Sequence, residues 1–217
     1  MYFTLVASLP ALPPRFDVER PPISRPRLDE RLKMLHPDDA KVIEQANAFM
    51  SWDRQPVDRT DEEMIASYDR LMRDISNATL RGVIQTRLDI RTIVCAISRR
   101  RAGLPPPSGV GQWVGQIRRH YDEPEFNLQS RYPWIGPFQR ALDEGNAMEA
   151  ERLMFASNYR TWNREAQQFT FSFEAVILYA ARWEVIDRWT SRNAQAGKRR
   201  FETMLRETLG DYAQLYS

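Results

Sequence analysis

Cysteine is almost missing from this sequence. Cys95 is the only one in 217 residues, which excludes an intramolecular disulfide and fits a reducing compartment. Histidine is scarce too: His36 and His120 stand alone, and neither shares a helix face with a second ligand type, so no zinc spacing exists. Glycine numbers nine. Its one cluster, SGVGQWVG from Ser108 to Gly115, follows no strand and lacks the Lys-Ser/Thr of a phosphate loop. Lysine supplies three of the 31 basic residues, so nearly all positive charge is guanidinium. The densest apolar run, AVILYAA from Ala175 to Ala181, is far short of the ~20 residues a spanning helix needs. The opening MYFTLVASLP has no basic residue ahead of its apolar stretch, and Pro10 interrupts it. It does not read as a secretory signal, and the expectation is a soluble cytoplasmic protein with no membrane span.

These shortages leave little for catalysis. His36 precedes Pro37 and Asp38 and reads as a helix-entry residue. The pairs Asp38/Asp39 and Glu62/Glu63 fall in first helical turns, where the macrodipole favours negative charge. No catalytic residue, cofactor or metal ligand is assigned, and the chain is read as a non-enzyme.

What is present is a globular composition, 42% hydrophobic and 28% charged, in a chain long enough to bury a real core. Net charge is +2, too small for a general nucleic-acid binder, but it is unevenly spread. Residues 1–80 carry 11 Lys/Arg against 14 Asp/Glu, residues 81–119 carry 8 against 1, and residues 120–217 carry 12 against 14. The middle segment is the basic one.

Apolar spacing is helical almost throughout. Tyr2 to Val6 mixes aromatic and β-branched residues and suits a short strand. The prolines from Pro10 to Pro26 then keep the chain extended, since proline lacks the N–H that helix and ladder require. Leu28, Leu32 and Leu35 mark a short helix, and Pro37 opens another carrying Val42, Ile43, Ala46, Phe49 and Met50 on one face. Thr60 and Glu63 form a capping box ahead of a helix bearing Met64, Ile65, Tyr68, Leu71, Met72 and Ile75. Ala78 to Ala102 spells a helix of about 37 Å at ~1.5 Å per residue, ended by Gly103 and the prolines beyond it. Ser108 caps a short helix through Trp113 and Ile117, and Tyr121 to Tyr132 is loop. Pro133 to Leu142 is a further short helix, and Asn146 with Glu149 starts a long one carrying Leu153, Met154, Trp162 and Phe169. The last element runs from about Phe173, with a break near Gly197. The fold class is all-α: a bundle of seven to nine helices with a short extended N-terminal segment. It reads as a single helical unit over 1–217, with lobes at 27–119 and 120–217 and residues 1–26 packed on them.

The long central helix ends in Arg99, Arg100 and Arg101. Cations there offset the helix dipole, each contributing roughly 0.3–1 kcal/mol when exposed. That explanation does not reach Arg81, Arg87 and Arg91 further back, or Arg118 and Arg119 after the next helix. A stripe of this kind suits a dimer groove or an RNA backbone, yet no stacking aromatics are interleaved with it. A docking surface for another protein is the preferred reading, and a small helical nucleic-acid or regulatory binding module is the alternative.

The stretch LDIRTIVCAISRRRAGLPPPSGVGQWVGQI resembles a recurring unit of the C component of V/A-type rotary ATPases, the component named d in eukaryotes. That unit is a long helix with an acidic residue and then basic ones, a terminating glycine, a Pro/Gly-rich turn and a short helix. Here the parts are Asp89, Arg99 to Arg101, Gly103, Pro105 to Gly109, and the helix through Trp113. ARWEVIDRWTSRNAQAGKRRFETMLRETL is similar to the family's last unit, with Glu184 as its acid. The opening YFTLVASLPAL followed by PPIS resembles a bacterial family of unassigned function whose genes lie among V-type ATPase genes, where the C component is expected. The chain is much shorter than that component, and the expectation from the resemblance is a funnel with one of its three lobes missing or trimmed.

The resemblance implies a passive central-stalk element, linking the rotating shaft to the membrane ring and peripheral to the inner face of a bacterial membrane. Its partners would be other V/A-type ATPase subunits. The partner-binding set implied is Arg91, Arg99, Arg100, Arg101, Arg118, Arg119, Asp89 and Glu184. The three arginines 99 to 101 are expected to matter more for assembly than for folding. Glu184 is expected to pair with Arg188 at i+4, and Asp89, with no arginine at i+3 or i+4, to find a partner on another helix or another subunit. Without a phosphate loop, the purified chain should show no nucleotide turnover in a phosphate-release assay. Turnover abolished by a point substitution in the chain would contradict this.

Overall fold

The structure is a computed structural model that describes residues 1–50 and 61–192. The capping box at Thr60 and the break near Gly197 fall outside these residues. Among the described residues there are nine helices and no strand, so the chain is all-α. In order they are α1 (Phe3–Ser8), α2 (Arg25–Leu32), α3 (Pro37–Met50), α4 (Asp61–Asp74), α5 (Ala78–Arg101), α6 (Val114–Arg119), α7 (Ile135–Asp143) and α8 (Ala147–Ala166). The ninth, α9, covers 173–192 within the described residues.

The helix signals in the sequence work as their chemistry requires. Asn77 caps α5 by accepting from the Leu80 N–H at 3.0 Å, and Asn146 caps α8 by accepting from the Glu149 N–H at 3.1 Å. At the far end of α5, Gly103 takes φ 66°. Its N–H bonds the Arg100 carbonyl at 3.0 Å, while the Leu104 N–H reaches the Arg99 carbonyl at 2.9 Å. This is a Schellman closure, and it needs a left-handed residue at that point. By contrast α6 starts at Val114, with Trp113 in the cap position and no side-chain cap. Ser108 is therefore too far upstream to cap it.

The expected strand at Tyr2 to Val6 is instead α1. A strand needs a ladder partner for its N–H and C=O groups, and a short helix satisfies them alone. Leu5 then buries to 1% exposure against Leu35 and Val176. Tyr2 anchors this end through its N–H to the Phe171 carbonyl at 2.8 Å and its hydroxyl to Asp39.

The proline-rich segment is a strap across the bundle. Prolines cannot donate, so the strap offers carbonyls, and buried side chains supply the hydrogens. Tyr179 donates to the Pro10 carbonyl at 2.9 Å, Tyr159 to Pro13 at 2.5 Å and the Trp183 indole to Ile23 at 2.8 Å. Between these pins Phe16 inserts among Phe155, Tyr159 and Trp189, its ring 5.3 Å from that of Trp189.

Two large apolar clusters share α5. Its first half (Leu80, Val83, Ile84, Leu88) joins α3, the end of α4, α8, α9 and the strap. Its second half (Ile90, Ile93, Ala96, Ile97) packs on Ile117 of α6, the loop residues Phe126 and Leu128, and Ile135 and Phe138 of α7. Along α9, Val176, Ile177, Leu178 and Tyr179 are all buried. Four consecutive positions cover every face of a helix, so α9 is central to its cluster. Burial of each such side chain is worth about 1.5–3 kcal/mol.

Two glycines of opposite sign test this account. Gly82 lies inside α5, and a Cβ there would meet nothing within 4 Å. Gly82→Ala should therefore stabilise the fold by up to about 1 kcal/mol. Gly103→Ala forces a side chain into the left-handed region and should destabilise by about 1 kcal/mol. Urea unfolding midpoints of the two variants should move in opposite directions.

Candidate functional site

The polar side chains of α5 decide how the candidate site is assembled, because this helix is buried along most of its length. Asp89 is 2% exposed. An isolated carboxylate in such a place costs several kcal/mol, and α5 itself offers it no cation at helical spacing. Its partners come from across the fold. Oδ1 accepts the Gln112 backbone N–H at 3.2 Å, and Oδ2 accepts the Tyr132 hydroxyl at 3.1 Å. Tyr132 in turn receives the Trp113 indole N–H at 3.1 Å. A third tie lies one turn on, where the Thr92 hydroxyl donates to the Val110 carbonyl at 3.2 Å. Together these bonds lay the loop from Val110 to Trp113 onto α5. Gly111 makes that approach feasible: a Cβ on it would sit 3.0 Å from the Asp89 carboxylate, at φ 133°.

Burial pushes the Asp89 carboxyl up to about 6, against the pull of the Tyr132 and Gln112 hydrogen bonds. Burial likewise pushes the Tyr132 phenol up to about 12, helped by the neighbouring carboxylate. The Asp89 partners are thus on loop segments of the same chain and not on another helix, and they are a hydroxyl and an amide N–H.

Glu184 behaves differently. Its predicted partner Arg188 is in place at 2.7 Å. The second partner, Arg87 on α5 at 2.5 Å, is one that local spacing cannot reveal, since the two residues are 97 positions apart. Burial alone would raise the Glu184 carboxyl, but Arg87 and Arg188 outweigh it and hold it below the usual range. Arg87 also lies over the Trp162 ring, 5.6 Å from its centroid. Arg25 covers Trp183 at 4.7 Å and reaches Asp187 at 3.8 Å.

The arginine cluster at the end of α5 is largely used inside the chain. Arg100 donates to three carbonyls, Tyr121 at 2.9 Å, Glu123 at 2.5 Å and Pro124 at 2.7 Å, and stacks 4.5 Å from Phe126. Arg99 donates to the Pro105 carbonyl at 2.7 Å, closing the proline turn. Arg101 pairs with Asp143 at the end of α7. The expectation that the three matter more for assembly than for folding did not include these internal bonds: a guanidinium bonded to loop carbonyls is a fastener of that loop. Their common signal was positive charge at a helix end, which cannot say whether the acceptors are internal or external. Arg118 and Arg119 on α6 are exposed, as is Arg91 on α5. The structure does not bring the eight expected docking residues onto one surface. Asp89 is interior, Glu184 lies between α5 and α9, and the arginines divide between loop closure and open surface.

A family model described as a protein of unknown function (DUF2764) matches residues 41–209. No curated protein and no solved structure matches the chain.

The Asp89 environment predicts a pH signature. Between the ordinary carboxylate value of 3.8 and about 6, the folded chain holds a proton that the unfolded chain has released. Stability from this group therefore falls as pH rises through that window. Asp89→Asn removes the titration, so its melting temperature relative to wild type should climb from about pH 4 to about pH 6.5 and then level off. A difference independent of pH would refute the assignment.

Proposed function

The chain belongs to that DUF2764 family, a family of unknown function, and we propose that it is a non-catalytic central-stalk element of a V/A-type rotary ATPase, resembling the C component and seated between the rotating shaft and the membrane ring. The observation that carries the reading is the locked unit around the end of α5. Its acidic residue, basic helix end, terminating glycine, Pro/Gly turn and short helix are the features that resemble the repeating unit of the C component. In this chain Asp89 ties the turn to the helix, and Arg99 and Arg100 close the loops behind it. An element that carries torque works through packed interiors, which barely compress. Loops fastened at both ends add little slack. The second acid of the resemblance, Glu184, joins α9 to α5 through Arg87, so both units meet on one helix.

The docking surface assigned to partners is the exposed cationic edge at α6, Arg118 and Arg119, with Arg91 of α5 as a further exposed cation. Charges on such a rim set register and encounter rate more than affinity. No helix among the described residues is long and apolar enough to cross a membrane, so attachment to the membrane in this reading runs through the ring.

Co-purification from the native cell tests the reading. Recovery of the ATPase A, B and D subunits is expected, and recovery of nucleic acid without them would overturn it. Arg118→Ser combined with Arg119→Ser should leave unfolding within about 0.5 kcal/mol of wild type while weakening recovery of those subunits at low salt. Arg100→Ala should instead cost about 2 kcal/mol of stability, since it strands loop carbonyls bonded to a charged donor.

A further inference from the structure

Between α3, α5, α8 and α9 lies a cavity of about 260 Å³. Its apolar walls are built from Ile90, Val94, Phe155, Trp162 and Val185. Its polar lining is Arg87, Arg91, Asn158, Glu184 and Arg188. We infer that this cavity binds a small amphipathic anion, a carboxylate with a short hydrocarbon body.

Charge supports an anion. Arg87 and Arg188 both bond the single carboxylate of Glu184, at 2.5 and 2.7 Å, so this trio keeps one net positive charge. The Arg87 and Glu184 side chains are only 20% and 23% exposed, whereas Arg188 is 60% exposed and marks the rim. Arg188 commits one N–H to Glu184. A guanidinium carries five in a planar fork suited to a carboxylate, so donors remain at the mouth.

Asn158 is the independent observation. It is 9% exposed, yet among the described residues its side-chain amide has no hydrogen-bond partner. Trp134 Nε1 is the one fully buried unpartnered side-chain atom among the described residues, so the Asn158 amide opens into the hollow, where a guest can supply its partner. The apolar remainder fixes the body of the guest. At about 30 Å³ per water-sized group, the volume holds about eight or nine such groups, the reach of an octanoate chain. The assignment uses no contact with ATPase subunits, so it stands or falls separately from the docking role.

Calorimetric titration of the isolated chain with octanoate, 1-octanol and octylammonium tests it. Octanoate should saturate about one site per chain, octanol should bind at least about tenfold more weakly, and octylammonium should not bind. Arg188→Gln, a change at the exposed rim, should weaken octanoate about tenfold and leave octanol unchanged. Val94→Trp should fill the cavity and abolish binding of both. Folded chain without saturable octanoate binding would overturn the inference. So would octanol or octylammonium matching octanoate, or an Arg188→Gln variant that binds octanoate normally.

Discussion

Helix α5 is buried along most of its length and yet carries charge, and the rest of the structure answers that constraint. A charge removed from water must be matched in place, because breaking a buried pair costs about 3–5 kcal/mol. Arg87, Asp89 and Thr92 of α5 therefore draw two other stretches of the chain onto it, α9 and the loop from Val110 to Trp113. Arg87 takes Glu184 of α9, Asp89 takes the Gly-bearing loop and Tyr132, and Thr92 takes the Val110 carbonyl. Apolar burial makes the bundle compact, while these matches specify which element lies against which face of α5.

The strap and the arginine-closed loops follow the same logic with donor and acceptor reversed. Proline-rich segments expose carbonyls they cannot satisfy among themselves. Tyr159, Tyr179 and Trp183 supply hydrogens to the N-terminal strap, and Arg99 and Arg100 supply them to the segments from Pro105 to Pro124. The arginines at the helix end thus do two jobs at once: they lie where the dipole favours cations, and they hold the loop that follows.

This division of labour shapes the functional reading. Interior charges tie the helices and loops together, and the cations Arg118 and Arg119 of α6 stay at the surface. The Arg87–Glu184–Arg188 trio belongs to both sides, since it ties α5 to α9 and also lines a cavity.

Helix content, the bounds of α5, and the caps at Gly103 and Asn146 were legible in the sequence because they depend on neighbours within a few residues. The Arg188 partner of Glu184 was legible for the same reason. The N-terminal segment was misread as strand, since its residue types fit either state and only the pocket around Leu5 decides between them. Charge at Arg99, Arg100 and Arg101 was visible, but whether it faces a loop or another protein was not. Nor could spacing disclose Arg87 opposite Glu184, Tyr132 opposite Asp89, or Asn158 on a cavity wall. Those contacts join positions dozens of residues apart, and only tertiary packing, by removing water from one side of a helix, determines which distant group must answer.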